Sequence, residues 1–297
     1  MRETMGIDAS ETRSLFKEAD DALFFAACEA SQQVLSHAGV PASVKASPLI
    51  LTGDCRTRPI CRHCKWEYFK AESYDSFVLD RPLSEIVDHA HYLADLGIDR
   101  AFTATGWMGY RLPNEYLDAV AAIHDAEPRL QLFGLFGALD RQSHFDLASV
   151  GLAGMLTSLE SPSDEVYRSF RPGGDSLDDR LRALEYTREA GMSIWTGFLV
   201  GLGETEDDAA WGIEAIARFE PESVSILPFV PFPDTPMANH PAADPLWLAR
   251  VNAVARTRLD RTPYFFSDHD QKFDRLYAER IGINGSYETG IAARARS

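Results

Sequence analysis

The 297-residue chain has no run of about 18 apolar residues and no apolar core near its start followed by a small-residue cleavage site. A cytoplasmic protein is therefore expected. Basic charge is short: 29 Lys and Arg against 45 Asp and Glu give a net charge of -16. Such a balance repels phosphate backbones and anionic membranes, so neither nucleic acid nor membrane is an expected partner. No low-complexity linker and no repeat of 20 to 50 residues divides the chain. Only four cysteines are present, and in a reducing compartment a short cysteine cluster reads as a metal or catalytic site rather than a disulfide framework.

Three of the four stand within "CRTRPICRHC", as Cys55, Cys61 and Cys64 in CxxxxxCxxC spacing. The fourth, Cys28, lies in the apolar run "ALFFAAC" and reads as a small buried hydrophobe on a helix. Three thiolates can hold three irons of a 4Fe-4S cube and leave the fourth iron open to an exogenous ligand. A zinc site would need a fourth ligand, for which His63 is the nearby candidate, and inert thiols are the third reading.

Apolar runs rich in β-branched and aromatic residues recur at 48–53, 100–106, 130–137, 154–160, 193–201, 223–230 and 262–267, with a weaker one in "INGSYETGI". Helical patterns lie between them: Pro82 opens one that Gly97 closes, 178–190 is closed by Gly191, and 207–219 is followed by Pro221. Short strands alternating with helices of about a dozen residues argue for parallel βαβ units. No GxGxxG follows the first strand, and functional-looking residues follow many different strands. The expected fold is a TIM-type (β/α) barrel, partial or closed by an irregular last strand. It spans residues 46–297 with a short C-terminal segment, after an N-terminal helical extension over 1–45 whose helix runs from 8 to 37 and ends at Gly39 and Pro41.

The cysteine loop after the first strand resembles that of the radical S-adenosylmethionine (SAM) superfamily, whose usual spacing is CxxxCxxC. Residues 180–205, "RLRALEYTREAGMSIWTGFLVGLGET", resemble biotin synthase and its relatives. Gly197, Leu199, Gly201 and Glu204 there match a GxIxGxxE pattern. "SILPFVPFPDTPM" resembles the sixth-strand region of HydE and PylB, and the lengthened cysteine spacing resembles HmdB, tied to the iron-guanylylpyridinol cofactor. The resemblance covers residues 45 to 240.

It implies a radical SAM enzyme with a single 4Fe-4S cluster held by Cys55, Cys61 and Cys64. SAM would be cleaved to a 5'-deoxyadenosyl radical that takes hydrogen from a small, amino-acid-derived substrate in cofactor biosynthesis. A PylB-like mutase, or a non-catalytic metal-binding barrel, is the alternative. The same resemblance places His63 near the adenine, and Thr105 and Gly106, with Trp107, where relatives carry GGE for the SAM amino group.

Glu160 stands where relatives set an acid against SAM, its rival role being a helix cap, and Arg180 near the SAM carboxylate, its rival a surface ion pair. Leu199, Ile226 and Leu227 would touch adenine. Tyr110, Trp195, Asp234, Thr235 and Asp268 are the substrate-facing candidates, and Asp268 opens the acid-histidine-acid run 268–270. Phe102 and Trp195 occupy positions where biotin synthase has ligands of its second cluster, which disfavours sulfur insertion. A reductase, flavodoxin or ferredoxin is the implied electron donor, with Arg56, Arg58 and Arg62 as candidate contacts or anion binders.

Overall fold

A computed structural model describes residues 7–37, 40, 43–52, 55–64, 82–267 and 281–287. Eight strands form a closed barrel in the order β1 to β8, every neighbour parallel. They are β1 (Val44–Ile50), β2 (Arg100–Ala104), β3 (Gln131–Leu135), β4 (Gly154–Leu156), β5 (Ser193–Val200), β6 (Ser223–Pro228), β7 (Tyr264–Ser267) and β8 (Gly285–Tyr287). The weak eighth run does form a strand, and its pairing of Gly285 with Val44 closes the ring, so the barrel is not partial.

Most apolar runs overshoot their strands at the C-terminal end, because the chain stays buried as it turns into the barrel mouth. β1 instead begins four residues before its expected start. Its opening "VKAS" puts only the small residues Val44 and Ala46 inward, which gives a weak hydrophobic signal.

Helices α1 (Ser10–Leu15) and α2 (Asp20–Leu35) precede the barrel, a break at 16–19 replacing the single helix expected. The rest are α3 (Leu83–Asp95), α4 (Asn114–Ala126), α5 (Arg141–Ser149), α6 (Asp164–Phe170), α7 (Leu177–Glu189), α8 (Glu206–Ala217) and α9 (Pro245–Arg258). Their starts follow from capping chemistry. Ser176 with Asp179 and Thr205 with Asp208 make reciprocal capping boxes, and Asp244 accepts from the Leu246 N–H with Pro245 at the first helical position. Gly97 and Gly191 stop α3 and α7 at positive φ, as the sequence signals indicate.

Apolar residues pointing outward from the strands pack under the helices in two large clusters. Thr12 of α1 donates to Glu214 of α8, which also takes a two-pronged ion pair from Arg258 of α9 at 2.7 and 2.9 Å. The N-terminal helices are thereby fastened to the outer layer.

Inside, Phe102, Phe133, Trp195, Tyr264 and Phe266 fill the lower barrel, with Trp195 centred 4.5 to 6.5 Å from the other four rings. Its indole donates to Glu222 at 3.0 Å, beside Arg100. Both charged residues sit at N-terminal strand ends. The floor is thus closed by aromatic rings, and open volume for chemistry lies at the C-terminal mouth.

Candidate active site at the barrel mouth

The cysteine loop follows β1 and is pinned at two places. Arg56 donates its N–H to the Trp107 carbonyl after β2 at 2.8 Å, and Arg62 donates its N–H to the Phe170 carbonyl at the end of α6 at 2.7 Å. Arg62 Nη1 adds a 3.2 Å bond to the Ser169 carbonyl. Cys61 is buried, while Cys55 and Cys64 are half-buried, and no disulfide joins them. Burial pushes the Cys61 thiol up, opposed by Arg171 and reinforced by Glu160 and Cys55.

His63 lies edge-on to Phe170 and reaches Glu160 Oε2 at 3.8 Å. Burial brings its pKa down to about 4 against the pull of Glu160, so the imidazole is neutral near pH 7. Among the described residues its buried Nδ1 has no hydrogen-bond partner.

Glu160 stands after β4 with φ at 61°, a left-handed conformation that turns its side chain toward the loop. Its Oε1 accepts from Arg180 Nη1 at 3.0 Å, and Arg171 Nη1 is 3.9 Å away. Burial alone would raise its pKa, but Arg180, Arg171 and His63 together hold it below the ordinary carboxylate range. Glu160 is therefore an anion near pH 7 rather than the helix cap weighed from sequence. Ser163, three residues on, is the residue that precedes α6.

Arg180 is buried, which removes its surface ion-pair reading. Its Nε donates to Tyr167 Oη at 3.0 Å, Nη1 to the Ser158 carbonyl at 2.6 Å as well as to Glu160, and Nη2 pairs with Asp175 Oδ2 at 3.0 Å. Arg171 uses Nε on the same Tyr167 oxygen at 3.0 Å and Nη2 on Asp175. Among the described residues its Nη1 makes no hydrogen bond. Asp175 is fully buried and also accepts from the Ala138 N–H at 2.9 Å. Burial opposes its ionisation, yet Arg180 and Arg171 hold its pKa at about 2.

Two arginines, two acids and a tyrosine therefore form one buried network of zero net charge. Arg171, Asp175 and Tyr167 are absent from the sequence expectation. For Arg171 and Asp175 the available signal was two opposite charges flanking a Pro-Gly-Gly turn, "RPGGD", between two helices that both border the site; Tyr167, inside α6, gave none.

Other candidates fall into two groups. Leu199 donates its N–H to the Glu160 carbonyl at 2.9 Å and pairs in register with Leu227; both are half-buried. Tyr110 is exposed, with its hydroxyl donating to Asp179 at 2.8 Å beside Arg180. Thr105 is buried and spends its hydroxyl on the Gly106 carbonyl at 2.6 Å. Trp107 donates to the Ala138 carbonyl at 3.1 Å and anchors this loop.

Two candidates lie elsewhere. Ile226 faces the helical layer with Val224, not the mouth, and Trp195 belongs to the aromatic floor. Thr235 bonds its own turn through the Phe232 carbonyl at 2.9 Å, and Asp234 beside it is exposed at φ 66°. Asp268 lies outside the described residues.

The GxIxGxxE residues have mechanical roles. A Cβ on Gly197 would stand 1.8 Å from the Ser225 carbonyl oxygen of β6, so no side chain fits between the strands. Glu204 accepts from the Gly201 and Leu202 N–H groups at 2.8 and 2.9 Å and from the Trp247 indole at 2.8 Å, which fixes the turn after β5.

Three thiols suit iron-sulfur ligation. Among the described residues no three His, Cys, Asp or Glu side chains converge as the ligands of a single ion would. Thiolates that each take a different iron of one cube need no common point. The zinc reading, with His63 as fourth ligand, requires that convergence.

The chain matches the profile of the Radical SAM superfamily over residues 49–211, more than half its length. Biotin synthase of Neorickettsia sennetsu is 26% identical over 257 residues, covering 83% of this chain and 74% of the relative. That of Rickettsia felis is 29% identical over 248 residues, covering 80% and 77%. Among solved structures, methylornithine synthase (PylB) superposes with a TM-score of 0.76 at 17% identity over 95% of this chain and 82% of its own. The [FeFe]-hydrogenase maturase HydG gives 0.78 at 19% identity over 96% of this chain and 65% of its own. At those identities the structural likeness is one of fold.

Proposed function

Because the chain belongs to the radical SAM superfamily, an enzyme family that uses a 4Fe-4S cluster and SAM, we propose that it performs single-cluster radical chemistry on a small molecule at the barrel mouth. The observation that carries this reading is Glu160, an anion set 3.8 Å from the histidine between Cys61 and Cys64 and braced by two buried arginines. With its cofactors bound, the cluster supplies the electron that splits SAM into methionine and a 5'-deoxyadenosyl radical, which takes a hydrogen atom from the substrate.

The protein's residues bind, orient and exclude water. Cys55, Cys61 and Cys64 would each hold one iron of the cluster, which would leave the fourth open to the amino and carboxylate groups of SAM. Glu160 accepts from the ribose hydroxyls or the ammonium group. Arg180 fixes the carboxylate of Glu160, and Arg171, whose Nη1 lies 3.9 Å from the same carboxylate, adds positive charge beside it. The carbonyls of Thr105 and Gly106 receive the ammonium group in place of a missing glutamate. Leu199 and Leu227 form an apolar surface for adenine.

Phe102 and Trp195, 5.2 Å apart in the floor, fill the place where biotin synthase binds its second cluster, which supports a single cluster here. The CxxxxxCxxC spacing supports an HmdB-like role in assembling a hydrogenase cofactor from an amino-acid-derived substrate. An acidic flavodoxin, ferredoxin or reductase domain would deliver the electron near the exposed Arg56 and Arg62.

Anaerobic reconstitution tests the reading. About four irons per chain, with SAM converted to 5'-deoxyadenosine under dithionite, is the expected result. Zinc in place of iron, with SAM left intact, would overturn it.

A further inference from the structure

The glycine pair Gly173–Gly174, between α6 and α7, lies directly beneath the cysteine loop. A Cβ on Gly173 would stand 2.4 Å from both the carbonyl carbon and oxygen of Arg58 and 2.6 Å from the Pro59 oxygen. All three are backbone atoms, so no side-chain rotation relieves the overlap. A Cβ on Gly174 would meet the buried Thr57 side chain at 3.0 Å. Gly173 is not among the glycines of positive φ, so what alanine meets there is the overlap rather than a left-handed backbone.

The residues that touch Gly173 lie in the middle of the five-residue stretch, Arg56 to Ile60, that makes this loop two residues longer than usual. Deleting Arg58 and Pro59 from "CRTRPICRHC" leaves CRTICRHC, which is CxxxCxxC. The glycine seat is also firmly held. Arg171 and Asp175, on either side of it, are locked to Tyr167 and Arg180, and Arg180 holds Glu160.

We propose that Gly173 is a positioning residue for the iron-sulfur site: it seats Arg58 and Pro59, the middle of the lengthened stretch, so that Cys55 and Cys61 can face the same cluster despite the wider spacing. This rests on the cluster reading above. Through the Arg171–Asp175 clasp the seat also ties the height of the loop to the position of Glu160. A larger residue at 173 lifts the loop away from Glu160, while the barrel beneath is untouched.

The test compares wild type, Gly173→Ala, a variant lacking residues 58–59, and the double variant, each reconstituted anaerobically. Iron per chain, the EPR spectrum of the reduced cluster with and without SAM, and the melting temperature of the metal-free protein are read. Gly173→Ala is expected to melt within a few degrees of wild type, to load less than half as much iron, and to lose most of the SAM-induced EPR change. The double variant is expected to recover at least half of the wild-type iron, because the shortened loop no longer reaches residue 173.

Full iron and a wild-type SAM response in Gly173→Ala would overturn the proposal, as would a double variant no better than Gly173→Ala alone. If Gly173→Ala fails to fold, the double variant decides by the same two readouts against wild type. Wild type that takes no cluster would instead overturn the cluster reading itself, so the two failures are distinguishable.

Discussion

Arg180 grips Glu160 at 3.0 Å while its other nitrogens are taken by Tyr167 and Asp175, so the carboxylate facing the cysteine loop is held by a side chain that has little freedom to move. Replacing Arg180 by methionine removes one partner of a buried ion network and leaves Glu160 and Asp175 with one arginine between them. A loss of roughly 3–5 kcal/mol is expected. Urea denaturation of the metal-free protein measures it, and a loss below 1 kcal/mol would contradict the network's buried character.

Tyr167 is the hinge of that network. Its oxygen accepts from both arginine Nε groups at 3.0 Å and donates to the Asp175 carbonyl at 3.0 Å. In Tyr167→Phe two buried donors lose their acceptor, at a cost of about 1–3 kcal/mol each where no water replaces it. The midpoint should fall with the urea slope unchanged.

The pH dependence follows from Asp175. Its pKa is about 2 in the folded protein against 3.8 for the free side chain. A group with a depressed folded pKa contributes stability that is complete above the unfolded value and disappears as pH falls through the folded one. The window is therefore pH 4 down to 2, and the size about 2 kcal/mol at 1.36 kcal/mol per unit. Denaturation curves across that range should show a shallower acid slope in Asp175→Asn. An unchanged slope would remove Asp175 as the cause.

Trp195 tests the floor. It is fully buried against four rings, so Trp195→Ala should cost about 3–5 kcal/mol through lost contacts and the cavity left behind. Iron loading at the mouth should survive in the fraction that remains folded, as measured after reconstitution below the melting temperature. Loss of iron without loss of stability would place Trp195 in the site after all.

The strands, the barrel and the cysteine loop were legible because each carries a local signature: apolar runs, capping residues and thiol spacing. Resemblance singled out Glu160 and Arg180, and the structure sets the two 3.0 Å apart, with Glu160 facing His63 of the loop. Arg171, Asp175 and Tyr167 were not legible, since a polar residue between helices gives the same signal whether it ends in water or in a buried ion pair. The misplacement of Ile226 was avoidable, because neighbouring strand residues point to opposite faces and Ile226 and Leu227 could not both meet one ligand. Trp195 has the right parity but the wrong height. Four residues separate it from Leu199 on β5, roughly 13 Å at 3.3 Å per residue.

The closure of the barrel has a kinetic consequence. β1, whose end launches the cysteines, obtains its second neighbour only when Gly285 to Tyr287 arrive. Until then that strand is an open edge, the kind of surface on which chains mispair. The contact is about as distant in sequence as this chain allows, so folding is expected to be slow where its chemistry begins.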